Sequence, residues 1–159
     1  MPAVMKKRFL TVLVLLWMGL IFWFSAQPSD DSEDMSLEAG KLAGQILIPE
    51  YEEWSQARQL AFAKKIDLPV RKLAHGLEYA VLGLFLTAMY RSYGLDGRRW
   101  ILISFLSAAA YASTDEFHQL FVPGRAGKVT DVLIDSAGAL IGVCVVWMIR
   151  RMYILRINA

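Results

Sequence analysis

The chain has 159 residues, of which 56% are hydrophobic and only 20% charged, and its mean hydropathy is +0.39. A soluble domain carries about one charged residue in four; here the apolar residues also gather in four blocks, which excludes a globular protein with a single water-covered core. The net charge of +2 comes with no basic stripe of interleaved aromatics, so nucleic acid is excluded as a partner. The single cysteine, Cys144, excludes an intrachain disulfide and reads as a small buried hydrophobe.

Each block is long enough for a membrane span of about 17–25 residues. The first runs over about 9–26, after Lys6, Lys7 and Arg8. It is long for a signal-peptide core, and Phe24 stands where a cleavage site wants a small residue, so an uncleaved helix is expected. Trp17, Phe22, Trp23 and Phe24 weight its far end as an interfacial belt. A loop over about 29–68 follows. It opens with Asp30, Asp31, Glu33, Asp34 and Glu38, and repeats Met35, Ala39, Leu42 and Ile46 at helical spacing until Pro49. A second amphipathic helix is expected from Glu50 to Ile66, with Tyr51, Trp54, Ala61 and Phe62 on its apolar side and Glu52, Arg58 and Lys65 in water. The second span covers about 70–90, with Asp67 as its cap and Pro69 in its first turn. A short basic loop over 91–99 leads to the third span, about 100–120, whose small residues suit close helix contact. Pro123-Gly124 fits the centre of a type II turn, and Thr130 fits an N-cap. The fourth span covers about 131–149 and carries Gly138 and Gly142 at GxxxG spacing.

The predicted fold is therefore all-α: a polytopic membrane protein with four transmembrane helices, an outer amphipathic helical loop between the first and second, and one domain over 1–159. In that topology Lys6–Arg8, then Arg91, Arg98 and Arg99, then Arg150, Arg151 and Arg156 share one side. The positive-inside rule makes that side cytoplasmic, with both termini inside and the protein multi-pass in the cell (inner, cytoplasmic) membrane. Arg71 and Lys72, at the outer mouth of the second span, run against the rule and are assigned to the site.

Helical spacing brings the polar residues together. Arg71, His75 and Glu78 share one face of the second span, Asp115, His118 and Gln119 one face of the third, and Asp131 and Asp135 one face of the fourth. Glu116 and Arg125 complete the group, in which Glu116 has water as its simplest environment. Both of the chain's 2 histidines fall here. Ionisable groups at this depth mark a site by default. Four chemistries fit: a metal held by His75, Glu78, Asp115 and His118; acid–base work by a histidine beside a carboxylate; an anion site of Arg71, Lys72, Arg125 and Lys128; or a structural network pairing Arg125 with Asp131 and His75 with Asp115. Spacing assigns no metal and no cofactor, and Ser25 and Ser29 lack the fixed base a serine hydrolase needs.

The runs Arg71-Lys72-Leu-Ala-His75-Gly-Leu-Glu78-Tyr79, Thr114-Asp115-Glu116-Phe-His118-Gln119-Leu-Phe-Val-Pro-Gly-Arg125 and Asp131-Val-Leu-Ile-Asp135-Ser-Ala-Gly138, together with Ser25-Ala-Gln27-Pro28, resemble the VanZ-like family of small integral membrane proteins. Many members carry Asn where this chain has Asp135. The resemblance implies an envelope role: the family's namesake is associated with low-level resistance to teicoplanin, an acylated glycopeptide that acts at the outer leaflet on cell-wall precursors. The expected partners are the bilayer and a lipid head group or cell-wall precursor, with an oligomer open. The expected function is binding or shielding of an envelope component, and the alternative is a metal-assisted or acid–base hydrolase or transferase acting on lipid head groups.

Overall fold

Where no water is at hand, a backbone satisfies its own hydrogen bonds only as helix or closed barrel, and the apolar blocks of this chain form helices. The computed structural model describes residues 2–96 and 98–157; Met1, Gly97 of the predicted basic loop, Asn158 and Ala159 lie outside the described residues. Among the described residues there is no strand. The helices are α1 (Ala3–Ser25), α2 (Ser29–Leu47), α3 (Gln56–Ser92), α4 (Arg99–Gln119) and α5 (Val129–Ile157), with a 3-10 turn at Tyr51–Glu53. The all-helical expectation holds. α1, α3 and α5 are long and apolar enough to cross a membrane. α4, at 21 residues, is also long enough to cross but is less apolar. Ser, Thr and Tyr recur along it, and Asp115, Glu116, His118 and Gln119 occupy its end.

α3 departs most from the expected pattern. The predicted break between an amphipathic helix and a span is absent: one helix of 37 residues runs through, with Pro69 inside it. It starts six residues after Glu50, where Ser55 Oγ accepts the Arg58 backbone N–H at 3.4 Å, so Tyr51 and Trp54 belong to the preceding turn. Pro69 removes a single backbone donor, and α2 packs along this stretch and supports it. Asp67 is not a cap; its carboxylate accepts from Ser36 and Arg71. At 1.5 Å per residue α3 is roughly 55 Å long, well beyond a hydrocarbon core of about 30 Å. Its first turns therefore project past the bundle with α2 alongside.

The α2 face that packs is not the stripe of apolar residues at helical spacing. Ser32, Ser36, Gly40 and Gly44 are buried, whereas Met35, Leu42 and Ile46 are exposed. Small side chains win the contact because they let the α2 backbone approach α3 and the turn before it: a Cβ on Gly40 would lie 3.3 Å from Ala63 Cα on α3, and one on Gly44 would run into the Tyr51 ring of the turn. Thr130 sits inside α5 rather than capping it, since that helix starts at Val129. Cys144 is exposed, not buried; its neighbours Gly142 and Val143 face the bundle instead. The Pro-Gly turn is as expected, with Arg125 N–H bonded to Val122 O at 3.1 Å and Gly124 at φ +72°.

α3 is the hub, touching α1, α2, α4 and α5, with α5 its most extensive partner. The α3–α5 seam is glycine against backbone. A Cβ on Gly138 would meet Gly76 O, one on Gly142 would meet Ala80 O, and one on Gly83 would meet Ala139 O. Around the seam Val14, Ile21, Tyr79, Leu82, Leu86, Ala108, Ala112 and Ala139 form the core. Part-buried hydrogen bonds tie α1 in place: Trp17 Nε1 on α1 donates to Glu78 O on α3 at 2.9 Å, and Tyr111 Oη on α4 donates to Met18 O on α1 at 2.6 Å. Gly142→Ala should therefore destabilise the bundle by about 1–3 kcal/mol through overpacking, whereas Gly19→Ala, with nothing within 4 Å, should be neutral or better. Thermal unfolding of both variants in detergent checks this, and equal behaviour of the two would refute the close seam.

Candidate functional site

Four elements meet at one end of the bundle: the last turn of α1, the middle of α3, the last turn of α4 and the first turn of α5. Antiparallel helices joined by short connections put them at one level, and side chains complete the link. Ser25 Oγ on α1 donates to Asp115 Oδ2 on α4 at 2.8 Å, and Gln119 Nε2 donates to Ser25 Oγ at 2.7 Å. Gln119 also donates to Glu116 Oε1 at 3.3 Å, and Glu116 Oε2 accepts the Lys128 backbone N–H at 2.8 Å. Asp115, Glu116 and Gln119 are all buried. Glu116 thus joins the end of α4 to the start of α5 and does not face water.

Arg125 performs the same service for the α1–α2 junction. Its Nε donates to Gln27 O at 3.2 Å, and its terminal nitrogen reaches Phe24 O at 3.4 Å and Ser32 Oγ. Pro123 O accepts the Ser29 N–H at 3.2 Å, so the whole Pro-Gly loop sits on this junction. Burial pushes the Arg125 guanidinium down from its ordinary value, and the Arg71 charge adds to the effect; an arginine stays cationic regardless. The expected Arg125–Asp131 pair does not form, because Asp131 pairs with Lys72 across the α3–α5 seam. The expected His75–Asp115 pair does not form either: His75 Nδ1 lies 4.0 Å from Glu78 Oε2, beyond hydrogen-bond reach.

Between α2, α3 and the Arg125 loop lies a pocket of about 250 Å³. Arg71, His75, Glu78 and Arg125 give it polar walls; Met35, Ala39, Val70 and Ala74 give it apolar ones. Arg71 Nε and His75 Nδ1 are buried without a hydrogen-bond partner. Arg71 is braced by Asp67, which Ser36 holds in turn. Of the ten predicted site residues, Arg71, His75, Glu78 and Arg125 share this pocket. Asp115, Glu116 and Gln119 form the scaffold behind it, and Asp131 belongs to the seam.

Two residues stand apart. His118 lies against Phe22, with ring centroids 4.5 Å apart, and does not join His75. Asp135 is fully buried in the α3–α5 seam with neither carboxylate oxygen hydrogen-bonded. The mixed metal ligand set of His75, Glu78, Asp115 and His118 is not assembled: among the described residues no three His, Cys, Asp or Glu side chains group to hold a metal ion. Sequence reasoning missed Asp67 and Ser36 as supports of Arg71. The i, i+4 spacing of Asp67 and Arg71 was the available signal.

Glu116→Ala would remove the acceptor of the part-buried Lys128 N–H, and loss of such a bond costs about 0.5–1.5 kcal/mol. The unfolding temperature in detergent should fall accordingly, and an unchanged value would show that the α4–α5 link contributes nothing.

No curated protein and no solved structure matches the chain. The family model described as VanZ/LLP1 matches residues 10–150, which takes in α4, most of α1 and α5, all of α2 and α3, and every residue of the pocket. By that match, the chain belongs to the VanZ/LLP1 family.

Proposed function

We propose that this protein is a single four-span unit of the cell (inner, cytoplasmic) membrane, with both termini cytoplasmic, whose pocket opens outward and binds the anionic head of an amphiphilic envelope component. The observation that carries the reading is the composition of the pocket walls. Two guanidiniums, Arg71 and Arg125, line it together with apolar Met35, Ala39, Val70 and Ala74. Arginine forks match phosphate and carboxylate oxygens, and the apolar wall suits the first carbons of a chain. α4 completes the fourth span, since its polar residues are turned inward, where Asp115, Glu116 and Gln119 bond to α1 and α5 rather than to lipid. The basic segments 6–8, 91–99 and 150–156 then share the cytoplasmic side. The acidic α2 and the pocket lie outside, at the level of lipid head groups and of lipid-linked wall precursors. Family membership extends the reading to shielding of such a component, with tolerance of teicoplanin-type glycopeptides as its cellular expression.

His75 beside Glu78 in the same pocket favours a second reading, acid–base hydrolysis or transfer at the bound head group. In that case one of the pair takes the proton of an attacking water or hydroxyl as its oxygen bonds the phosphorus; the P–O bond to the departing alcohol breaks, that proton is passed to the alcohol oxygen, and the arginines hold the anionic oxygens.

Binding of dodecyl phosphate to the purified protein separates the outcomes. Arg71→Gln should weaken binding about tenfold or more, as expected for loss of a hydrogen bond to a charged group. Glu78→Gln, which removes a like charge from the pocket, should strengthen it. Release of inorganic phosphate that dies with His75→Ala would select the hydrolytic reading. Binding indifferent to both Arg71 and Glu78 would refute the site.

A further inference from the structure

At the opposite end of the bundle, a second concave surface of about 270 Å³ lies between the start of α4 and the last turns of α5. It lies on the same side as the chain's start, where Thr11 Oγ1 and Tyr93 Oη are 3.1 Å apart and Lys7 Nζ stands 5.5 Å from the Tyr93 ring. Arg98, Arg150 and Arg151 line this surface, with Trp100 and Trp147. Arg91 adjoins it, its guanidinium 5.7 Å from the Trp100 ring and close enough to Arg150 for their charges to repel. Arg151 stands 5.5 Å over Trp147. Among the described residues none of these four arginines has a carboxylate partner.

Every polar side chain on this surface is a donor. Arginine and the tryptophan indole donate hydrogen bonds and accept none. Trp100 is 1% exposed, and its Nε1–H finds no acceptor in the protein. A buried donor without a partner costs free energy, and like-charged arginines held together cost more. An anion rich in acceptors relieves both. Beside the arginines, Ile101, Ile154 and Leu155 supply hydrocarbon, and the last two are exposed, so the ligand has an apolar part as well. Depth completes the identification. α5 has 29 residues and is roughly 44 Å long, more than a core of about 30 Å, which leaves Arg150 and Arg151 at a boundary where tryptophan also belongs.

We propose that this surface binds the phosphate of an anionic phospholipid in the leaflet on the side of the N-terminus, with the lipid chain lying against Ile154 and Leu155. The site is independent of the pocket at the other end. It needs neither the outward pocket nor its ligand, and it recognises head-group charge.

Protein in detergent is titrated with phosphatidylglycerol or with phosphatidylcholine of the same chains, and retained lipid is counted by native mass spectrometry. Wild type should retain phosphatidylglycerol preferentially. Arg98→Gln and Arg150→Gln should each lower that preference about fivefold, the effect of one basic group at an anionic lipid surface. The pair Lys6→Gln/Lys7→Gln, which removes charge at the same end but off the surface, should leave it unchanged. Excess inorganic phosphate should not displace the lipid. Equal retention of both lipids by wild type, an equal loss in the lysine pair, or displacement by inorganic phosphate would each overturn the proposal. The first and third need no variant, so a substitution that fails to fold leaves the test decisive.

Discussion

Backbone-to-backbone contact between α3 and α5 is the constraint on which the rest of the structure depends. Gly83, Gly138 and Gly142 remove the side chains that would hold the two helices apart, and between apolar helices in an apolar solvent close packing is the main source of association. The contact fixes register as well as distance. With Gly138 against Gly76, Asp131 falls within reach of Lys72. α3 is then placed to receive α1 through Trp17, and α4 through the shared core. Slipping the seam by a turn would undo each of these links together.

The polar end divides into two kinds of chemistry. One kind is closed: Ser25, Asp115, Gln119, Glu116 and the Lys128 amide bond one another inside the bundle and join α1, α4 and α5. Such a network holds geometry, because each member bonds another, although Asp115 Oδ1 is left buried without a partner. The other kind is open: Arg71 and His75 keep unpaired nitrogens, and with Glu78 and Arg125 they line a pocket that also has apolar lining. The closed network supports the open one. Arg125, fastened to Phe24, Gln27 and Ser32, belongs to both.

Much of this was legible in the sequence, and the omissions have physical causes. The helical blocks, the Pro-Gly turn and the convergence of polar residues at one end follow from hydrophobic runs and i, i+4 spacing, both of which are local. The continuity of α3 through Pro69 was not legible, since it rests on α2 packing alongside, which no local signal carries. The face α2 buries was not legible, for a related reason. The apolar stripe of Met35, Ala39, Leu42 and Ile46 is the stronger pattern in sequence, yet the small stripe of Ser32, Ser36, Gly40 and Gly44 gives the closer approach. Pairing partners were legible as a set but not as pairs. Helical spacing identifies a face, whereas the choice of Lys72 for Asp131 and of backbone carbonyls for Arg125 is made by the glycine seam and by the way the Pro-Gly loop folds over α1 and α2.

The central claim, that the Arg71–Arg125 pocket opens on the outer face while the arginine-rich end faces inward, is tested most directly by cysteine accessibility in intact cells. Cys144 is exposed, so Cys144→Ala serves as the background. Met35→Cys places a thiol on the pocket wall at a 43% exposed position, and Asp96→Cys places one in the exposed α3–α4 connection. A membrane-impermeant maleimide should label position 35 in intact cells and position 96 only after the membrane is opened. Labelling at 96 but not at 35 in intact cells would reverse the orientation and contradict the account.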